Sequence, residues 1–289
     1  MLHKVLNTKL LEYAPANAVE QDNVLQELMQ LHVLASLSRA GLFNEAVFHG
    51  GTCLRIVDGL RRFSEDLDFF LKQPNPDFHW QDYLNAVQKD CAWEGIAFEI
   101  QDKSKAETAV RKAFLKTDSI GKLLILDLPF ERRQTRKIRI KLEIDIDPPS
   151  GSSFSTSYIT YPVTAPLTVQ TLESSFALKL HAMLCRTYVK GRDWYDFVWY
   201  VARKIQPNLD LLQNALRQNG PWKNQVVPSD PYWVRDQIKA RIQSIDWEAA
   251  RHDVQRFLPL RDQEGLRFWS VDFFGDQLDR LFNGFKRRV

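Results

Sequence analysis

The sequence predicts an α+β chain, with a mixed-sheet domain over residues 1–165 followed by a helical domain over 166–289. Three observations carry this. Short apolar runs of strand length recur up to Ile146, the clearest being Lys137–Ile146, where Ile138, Ile140, Leu142, Ile144 and Ile146 occupy every second position. A Pro/Gly/Ser-rich stretch, DPPSGSSFSTS, then begins at Asp147. From Leu167 onward the strand signals largely fade and the chain reads as helical.

The elements follow in order. Val24, Leu28, Leu31, Leu34 and Leu37 recur every three or four positions, which predicts a helix over 18–40 that Gly41 stops. Ala46–Phe48 reads as a short strand, Thr52–Asp58 as a helix and Leu67–Leu71 as a second strand. The breaker PNPD introduces a helix over 78–90, and AFEI at 97–100 is a strand candidate. Residues 106–117 are ambiguous, helix by propensity or strand by tertiary demand. Leu123–Leu128 and Lys137–Ile146 complete the strands. In the second half LESSFALKLHAMLCR and RDWYDFVWYVARK are helices separated by a Lys-Gly break, and Pro221, Pro228 and Pro231 punctuate the remainder.

Composition removes several function classes. The 289 residues are 44% hydrophobic and 26% charged, the balance of a soluble globular protein. No run approaches the roughly twenty apolar residues of a membrane span, and the N-terminus has no long apolar core, so no secretory signal is expected. Cys53, Cys91 and Cys185 are odd in number and widely spaced, which disfavours disulfides and cysteine-bound zinc and predicts a cytoplasmic protein. The net charge of +3 does not announce nucleic-acid binding. The Arg/Lys-rich stretch ERRQTRKIRIK at 131–141 is either a charged edge strand or a track for a polyanion.

The chemistry concentrates between His49 and Leu71, HGGTCLRIVDGLRRFSEDLDFFL. Adjacent glycines, Gly50 and Gly51, let backbone N–H groups approach a phosphate, with a helix start behind them. Asp66 and Asp68 are one residue apart in a strand, so they point to the same face and can share divalent cations. In RIKLEIDID, Glu143, Asp145 and Asp147 share the face opposite the isoleucines and can supply a further carboxylate; Asp147, beside Pro148, reads better as solvent-facing. In the helical half Lys179 and Arg186 are seven apart on one helix face, and Asp193 and Asp196 are three apart on another. A lysine among apolar neighbours needs an anion, which an ion pair to Asp193 or Asp196, bracing two helices, would supply. Trp194, Tyr195, Trp199 and Tyr200 read as core packing, as do Phe273 and Phe274, and Arg61 and Arg62 as phosphate contacts or a solvated turn.

The order strand, GGT, helix, RFSEDLDFF resembles the nucleotidyltransferase superfamily related to DNA polymerase β, and more closely its AbiEii/AbiGii branch of toxin components of toxin–antitoxin and phage-defence systems. ALKLHAMLCRTYVKGRDWYD is similar to that branch's K-x-x-A-x-x-x-R…RD-x-x-D motif, and the likeness spans roughly residues 45–203. The resemblance implies a Mg²⁺-dependent transfer of a nucleoside monophosphate from an NTP to an acceptor hydroxyl. Asp66, Asp68 and Glu143, with Asp145 the runner-up for the third place, would hold two Mg²⁺ ions. Gly50, Gly51, Thr52 and Ser64 would seat the phosphates. Lys179, with Arg186 on the same helix, would contact the triphosphate, and Asp193 would support nucleotide or lysine, so that the helical domain completes the nucleotide site. The implied acceptor is an RNA, the 3′ end of a tRNA, and the implied partner an antitoxin protein. Two rivals are a small-molecule (antibiotic) nucleotidyltransferase and a non-catalytic nucleotide-binding regulatory module. An acidic site would favour the first, and loss of a carboxylate would favour the second.

Overall fold

A computed structural model of the chain describes residues 2–93, 96–102, 119–129, 135–228 and 230–283. It divides into two compact units, Met1–Pro148 with Phe154–Val169, and Pro149–Ser153 with Gln170–Val289.

The first unit contains, in chain order, α1 (Leu2–Tyr13), α2 (Ala18–Arg39), β1 (Ala46–His49), α3 (Gly50–Ile56), β2 (Asp66–Leu71), α4 (Gln81–Trp93), β3 (Ala97–Asp102), β4 (Ser119–Pro129), β5 (Thr135–Asp145), β6 (Phe154–Ile159) and β7 (Ala165–Gln170). The strands form one mixed sheet in the order β3-β4-β5-β2-β1-β7-β6. β3, β4 and β5 are antiparallel neighbours, β5 runs parallel to β2, β2 antiparallel to β1, and β1 parallel to β7.

Alternation along two strands builds the core on one face of this sheet and leaves the other for chemistry. Leu67, Phe69 and Leu71 of β2 and Ile138, Ile140, Leu142 and Ile144 of β5 are all buried in a single cluster with α2. α2 starts at Asn17, whose side chain accepts the Glu20 N–H while Glu20 reaches back to the Ala16 N–H at 2.9 Å. It is enclosed along most of its length, with Val24, Leu25, Leu28, Met29, Leu34 and Leu37 at its centre. Gly41 follows at φ +85°, a left-handed position that glycine takes without a Cβ clash.

Three regions differ from the sequence expectation. Leu2–Tyr13, given no element, is helical. Phe154–Ile159 and Ala165–Gln170 are strands, so the helical part begins at Leu172 instead of Leu167. β6 is almost wholly exposed and has no apolar alternation to betray it, whereas β7 buries Ala165, Leu167 and Val169 in a period of two that merges with the next helix. The ambiguous stretch 106–117 lies outside the described residues.

The second unit holds α5 (Leu172–Cys185), α6 (Gly191–Ala202), α7 (Leu209–Gln218), α8 (Pro231–Ser244), α9 (Trp247–Gln255), a 3₁₀ segment Leu260–Phe268 and α10 (Val271–Phe282). Thr171, Asn208, Asp230, Asp246 and Ser270 each cap the helix that follows by accepting its backbone N–H groups. Its core is aromatic. Trp247 stacks on Phe274 at 4.0 Å, Trp194 meets both rings edge-on, and Tyr200 stacks on Phe176 at 4.4 Å. The aromatic residues Trp194, Trp199 and Tyr200 of α6 are therefore packing residues, buried as the sequence predicts.

Gly191 sets the approach of α6 to α9, because a Cβ there would lie 1.8 Å from the Ala250 carbonyl oxygen. The neighbour is backbone, so relief requires a shift of the helix itself and not of a side-chain end. Gly191→Ala is expected to cost about 3 kcal/mol by overpacking, a drop of roughly 10 °C for a unit of this size. A thermal melt checks it, and an unchanged midpoint would show that α9 moves freely. Among the described residues, no helix is long and apolar enough to cross a membrane.

Candidate active site

In the first unit the parallel register of β2 and β5 places Asp66 beside Lys141, Asp68 beside Glu143 and Phe70 beside Asp145. Register partners point to the same face, so Asp66, Asp68, Lys141 and Glu143 make a four-residue patch on the side away from the isoleucine core. Asp145 lies one pair further along, is buried, and accepts the Asp147 N–H at 3.2 Å; Asp147 is exposed. The register thus brings Glu143, ahead of Asp145, next to the Asp-x-Asp pair.

The glycine pair stands against this patch. Gly50 has φ +79°, and a Cβ on it would sit 2.6 Å from an Asp68 carboxylate oxygen. A Cβ on Gly51 would sit 2.6 Å from Arg62 Nη2 and 2.9 Å from Ser64 Oγ. Gly50 therefore needs glycine for its backbone as well as for close approach, Gly51 is packed tightly against two side chains, and Ser64 lies in the segment between α3 and β2. Thr52 is buried, and its hydroxyl donates to the Asp66 carbonyl, so its observed contact braces the start of β2. α3 is only seven residues long, which limits any helix-dipole contribution.

Side chains from α2 and α3 hold the turn. Gln26 donates to the Glu65 and Arg139 carbonyls at 3.2 and 2.7 Å, and Gln30 to the Ser64 carbonyl at 3.1 Å. Arg55 pairs with buried Glu27 at 2.6 Å and donates to the Leu60 and Arg61 carbonyls. The two arginines that the sequence left open behave differently. Arg61 is exposed, while Arg62 is 2% exposed beside Gly51 and donates to the Phe63 carbonyl at 3.1 Å.

Sequence reasoning missed Lys141. Its Nζ lies 2.5 Å from Glu143 Oε2. Burial lowers the tendency of its ammonium to stay charged, but Glu143, Asp66 and Asp68 more than offset this, and the net shift is upward. The signal was available in the alternation R-I-K-L-E, which puts Lys141 on the carboxylate face. The donor set of Asp66, Asp68 and Glu143 is all oxygen, the type that Mg²⁺ takes, and it fits such an ion in chemistry and in face. Among the described residues, no three acidic, His or Cys side chains converge on one point as they stand. Of the basic stretch 131–141, residues 131–134 lie outside the described residues; Arg139 is exposed. If the register sets the chemistry, Glu143→Gln should slow transfer about a hundredfold or more, Asp145→Asn less, and Asp147→Asn hardly at all. Steady-state rates of the three variants check the order, and greatest sensitivity at Asp147 would refute it.

In the second unit Lys179 joins both acids of the following helix. Its Nζ is 2.7 Å from Asp193 Oδ1 and 2.8 Å from Asp196 Oδ2, with Asp193 3% and Asp196 0% exposed. Arg186 also pairs with Asp193. The two ion pairs that the sequence offered as alternatives coexist. Lys190, half-buried at the start of α6, is a further cation of this cluster. Burial pulls it down to about 8, Asp193 partly offsets that, and Arg186, Arg192 and Lys179 add to it. Its sequence signal was the Lys-Gly break alone.

Burial pushes the Asp193 carboxyl up, but Lys179, Arg186 and Lys190 pull harder and hold it well below the usual carboxylate range. Its folded value lies below the unfolded one, so the folded protein binds fewer protons in acid. The stability it contributes is present above the ordinary value of 3.8 and is lost as pH falls below it. Melting temperatures are expected to fall steeply below about pH 4, and Asp193→Asn should flatten that limb. An equally steep limb in the variant would place the acid sensitivity elsewhere.

A cavity of about 490 Å³ opens elsewhere in the first unit, walled by Tyr13, Glu27, Arg55, Arg61 and Tyr161, and none of Gly50, Gly51, Thr52, Ser64, Asp66, Asp68 or Glu143 lines it.

Comparison with known proteins adds the following. A family model described as nucleotidyl transferase AbiEii toxin, type IV toxin–antitoxin system, matches residues 32–277. No curated protein sequence matches the chain significantly. Among solved structures, JHP933 from Helicobacter pylori is similar at 15% identity and TM-score 0.48, covering 89% of this chain and 88% of that one. A proposed nucleotidyltransferase from H. pylori is similar at 18% identity and TM-score 0.45, covering 88% and 94%.

Proposed function

The chain belongs to the AbiEii nucleotidyl transferase toxin family of type IV toxin–antitoxin systems, and from that premise we propose that it moves a nucleoside monophosphate from an NTP to a hydroxyl at the 3′ end of an RNA, using two Mg²⁺ ions. Family membership makes it a nucleotidyltransferase that works with an NTP, a divalent metal and an antitoxin partner; the RNA acceptor, tRNA as the first candidate, and the metal's identity and count are the proposed part. The observation that supports the reading most is the register pairing Asp68 with Glu143 and Asp66 with Lys141, with Gly50 closed against Asp68.

Asp66, Asp68 and Glu143 would hold the metal, which when bound supplies charge stabilisation to the attacking and leaving oxygens. The chain's own residues do the rest. Backbone N–H groups of Gly50 and Gly51 would receive phosphate oxygens, which their missing side chains leave room to approach. Ser64 Oγ would donate to the same phosphates, and buried Arg62 would fix the turn that carries both. Gln26, Gln30 and Thr52 keep the start of β2 from shifting, so the carboxylates are placed before substrate arrives.

Incubation of the protein with each labelled NTP, Mg²⁺ and total RNA tests the reading. Label is expected in an RNA band, with one pyrophosphate released per nucleotide, and in neither with Asp68→Ala. Label transfer to small molecules alone would replace RNA as the acceptor.

A further inference from the structure

Four charged side chains share one face of β2 and β5, and three of them are acidic. Lys141 stands beside Asp66 in the register, two residues before Glu143, with its ammonium 2.5 Å from a Glu143 oxygen. An ammonium is a compact point charge with three rotatable donors on a flexible stem. That is the side chain best able to occupy the place of a cation among carboxylates and then to leave it. Lys141 and Glu143 are 23% and 32% exposed, so neither is locked by packing. Without the lysine the patch would carry three adjacent negative charges, which repel.

We propose that Lys141 is a tethered counter-cation of this carboxylate patch, holding Glu143 while no divalent ion is bound and releasing it when one enters. The inference rests on the metal-binding role proposed for Asp66, Asp68 and Glu143. Two consequences follow. The patch is neutralised in part before metal arrives, so the folded chain tolerates it. Metal entry must break the Lys141–Glu143 pair, so the lysine weakens metal binding and sets the concentration at which the site fills.

Mn²⁺ titration of the full chain, followed by electron paramagnetic resonance of the free ion, reads this without any transfer reaction. Lys141→Met is expected to bind Mn²⁺ about fivefold to tenfold more tightly than wild type, since a half-exposed ion pair and a nearby like charge no longer oppose it. Its melting temperature without metal should be lower, and its rise on adding Mn²⁺ larger. Lys141→Arg, which keeps the charge, should bind as wild type does, and Lys141→Gln serves if the methionine variant folds poorly. Equal or weaker Mn²⁺ binding by the neutral variants, while wild-type binding still depends on Asp68, overturns the counter-cation role alone. Wild-type Mn²⁺ binding that Asp68→Ala leaves unchanged overturns the metal reading itself.

Discussion

Asp68→Ala is expected to leave a folded protein whose transfer rate falls roughly a thousandfold or more. Asp68 is the residue on which the candidate site converges. It lies beside Glu143 in the neighbouring strand and its carboxylate closes against Gly50. Stabilisation of the transferring phosphoryl group by metal is worth several kcal/mol, and about 4 kcal/mol corresponds to three decades in rate. The carboxylate is on the face away from the core, so removing it leaves the buried residues Leu67 and Phe69 untouched. A melting temperature within a few degrees of wild type, together with lost pyrophosphate release, is the expected pair of results. Near-normal turnover by Asp68→Ala or Asp66→Ala would remove both from the chemistry.

Lys179→Met should produce the largest change in stability. The substitution keeps the aliphatic stem but takes one cation from two carboxylates that are almost wholly buried. Asp193 retains Arg186, which limits the loss on that side. Breaking a buried pair from one side costs about 3–5 kcal/mol, a drop of roughly 10 °C or more. Lys179→Arg, with its charge kept, should recover part of it. The same variants separate bracing from nucleotide chemistry. If Lys179 also meets the triphosphate, as the family motif implies, the rise in melting temperature on adding NTP and Mg²⁺ shrinks in Lys179→Met. A full nucleotide-induced rise on the lowered baseline would leave Lys179 as a brace only.

Much of the site was legible because its parts are local. GGT before a helix and Asp-x-Asp at a strand start are short-range patterns, and period-two alternation assigns each residue of Lys137–Asp145 to a face. The choice between Glu143 and Asp145 was not legible, since both share that face. Only the non-local register of β5 against β2 separates them. Thr52 was expected at the phosphates, and its bracing contact was not legible, because its partner, the Asp66 carbonyl, is fourteen residues away and leaves no trace in composition. β6 was hidden by its exposure: an edge strand of FSTSYI needs no apolar face and reads as a loop. In the helical half, the spacing of Lys179, Asp193 and Asp196 suggested pairing, yet the closeness of α6 to α9 came from one glycine.

The place of β2 in the sheet has a consequence for how the protein comes apart. It has a hydrogen-bonded neighbour on each side, parallel β5 and antiparallel β1, and lies away from both sheet edges. Its amides cannot exchange with solvent by fraying; they wait for the largest cooperative opening of the sheet, whereas those of β6 exchange through small local excursions. Asp66 and Asp68 are thereby tied to a central segment of the sheet, and partial denaturation that loosens its rim should leave them in place until the whole unit melts.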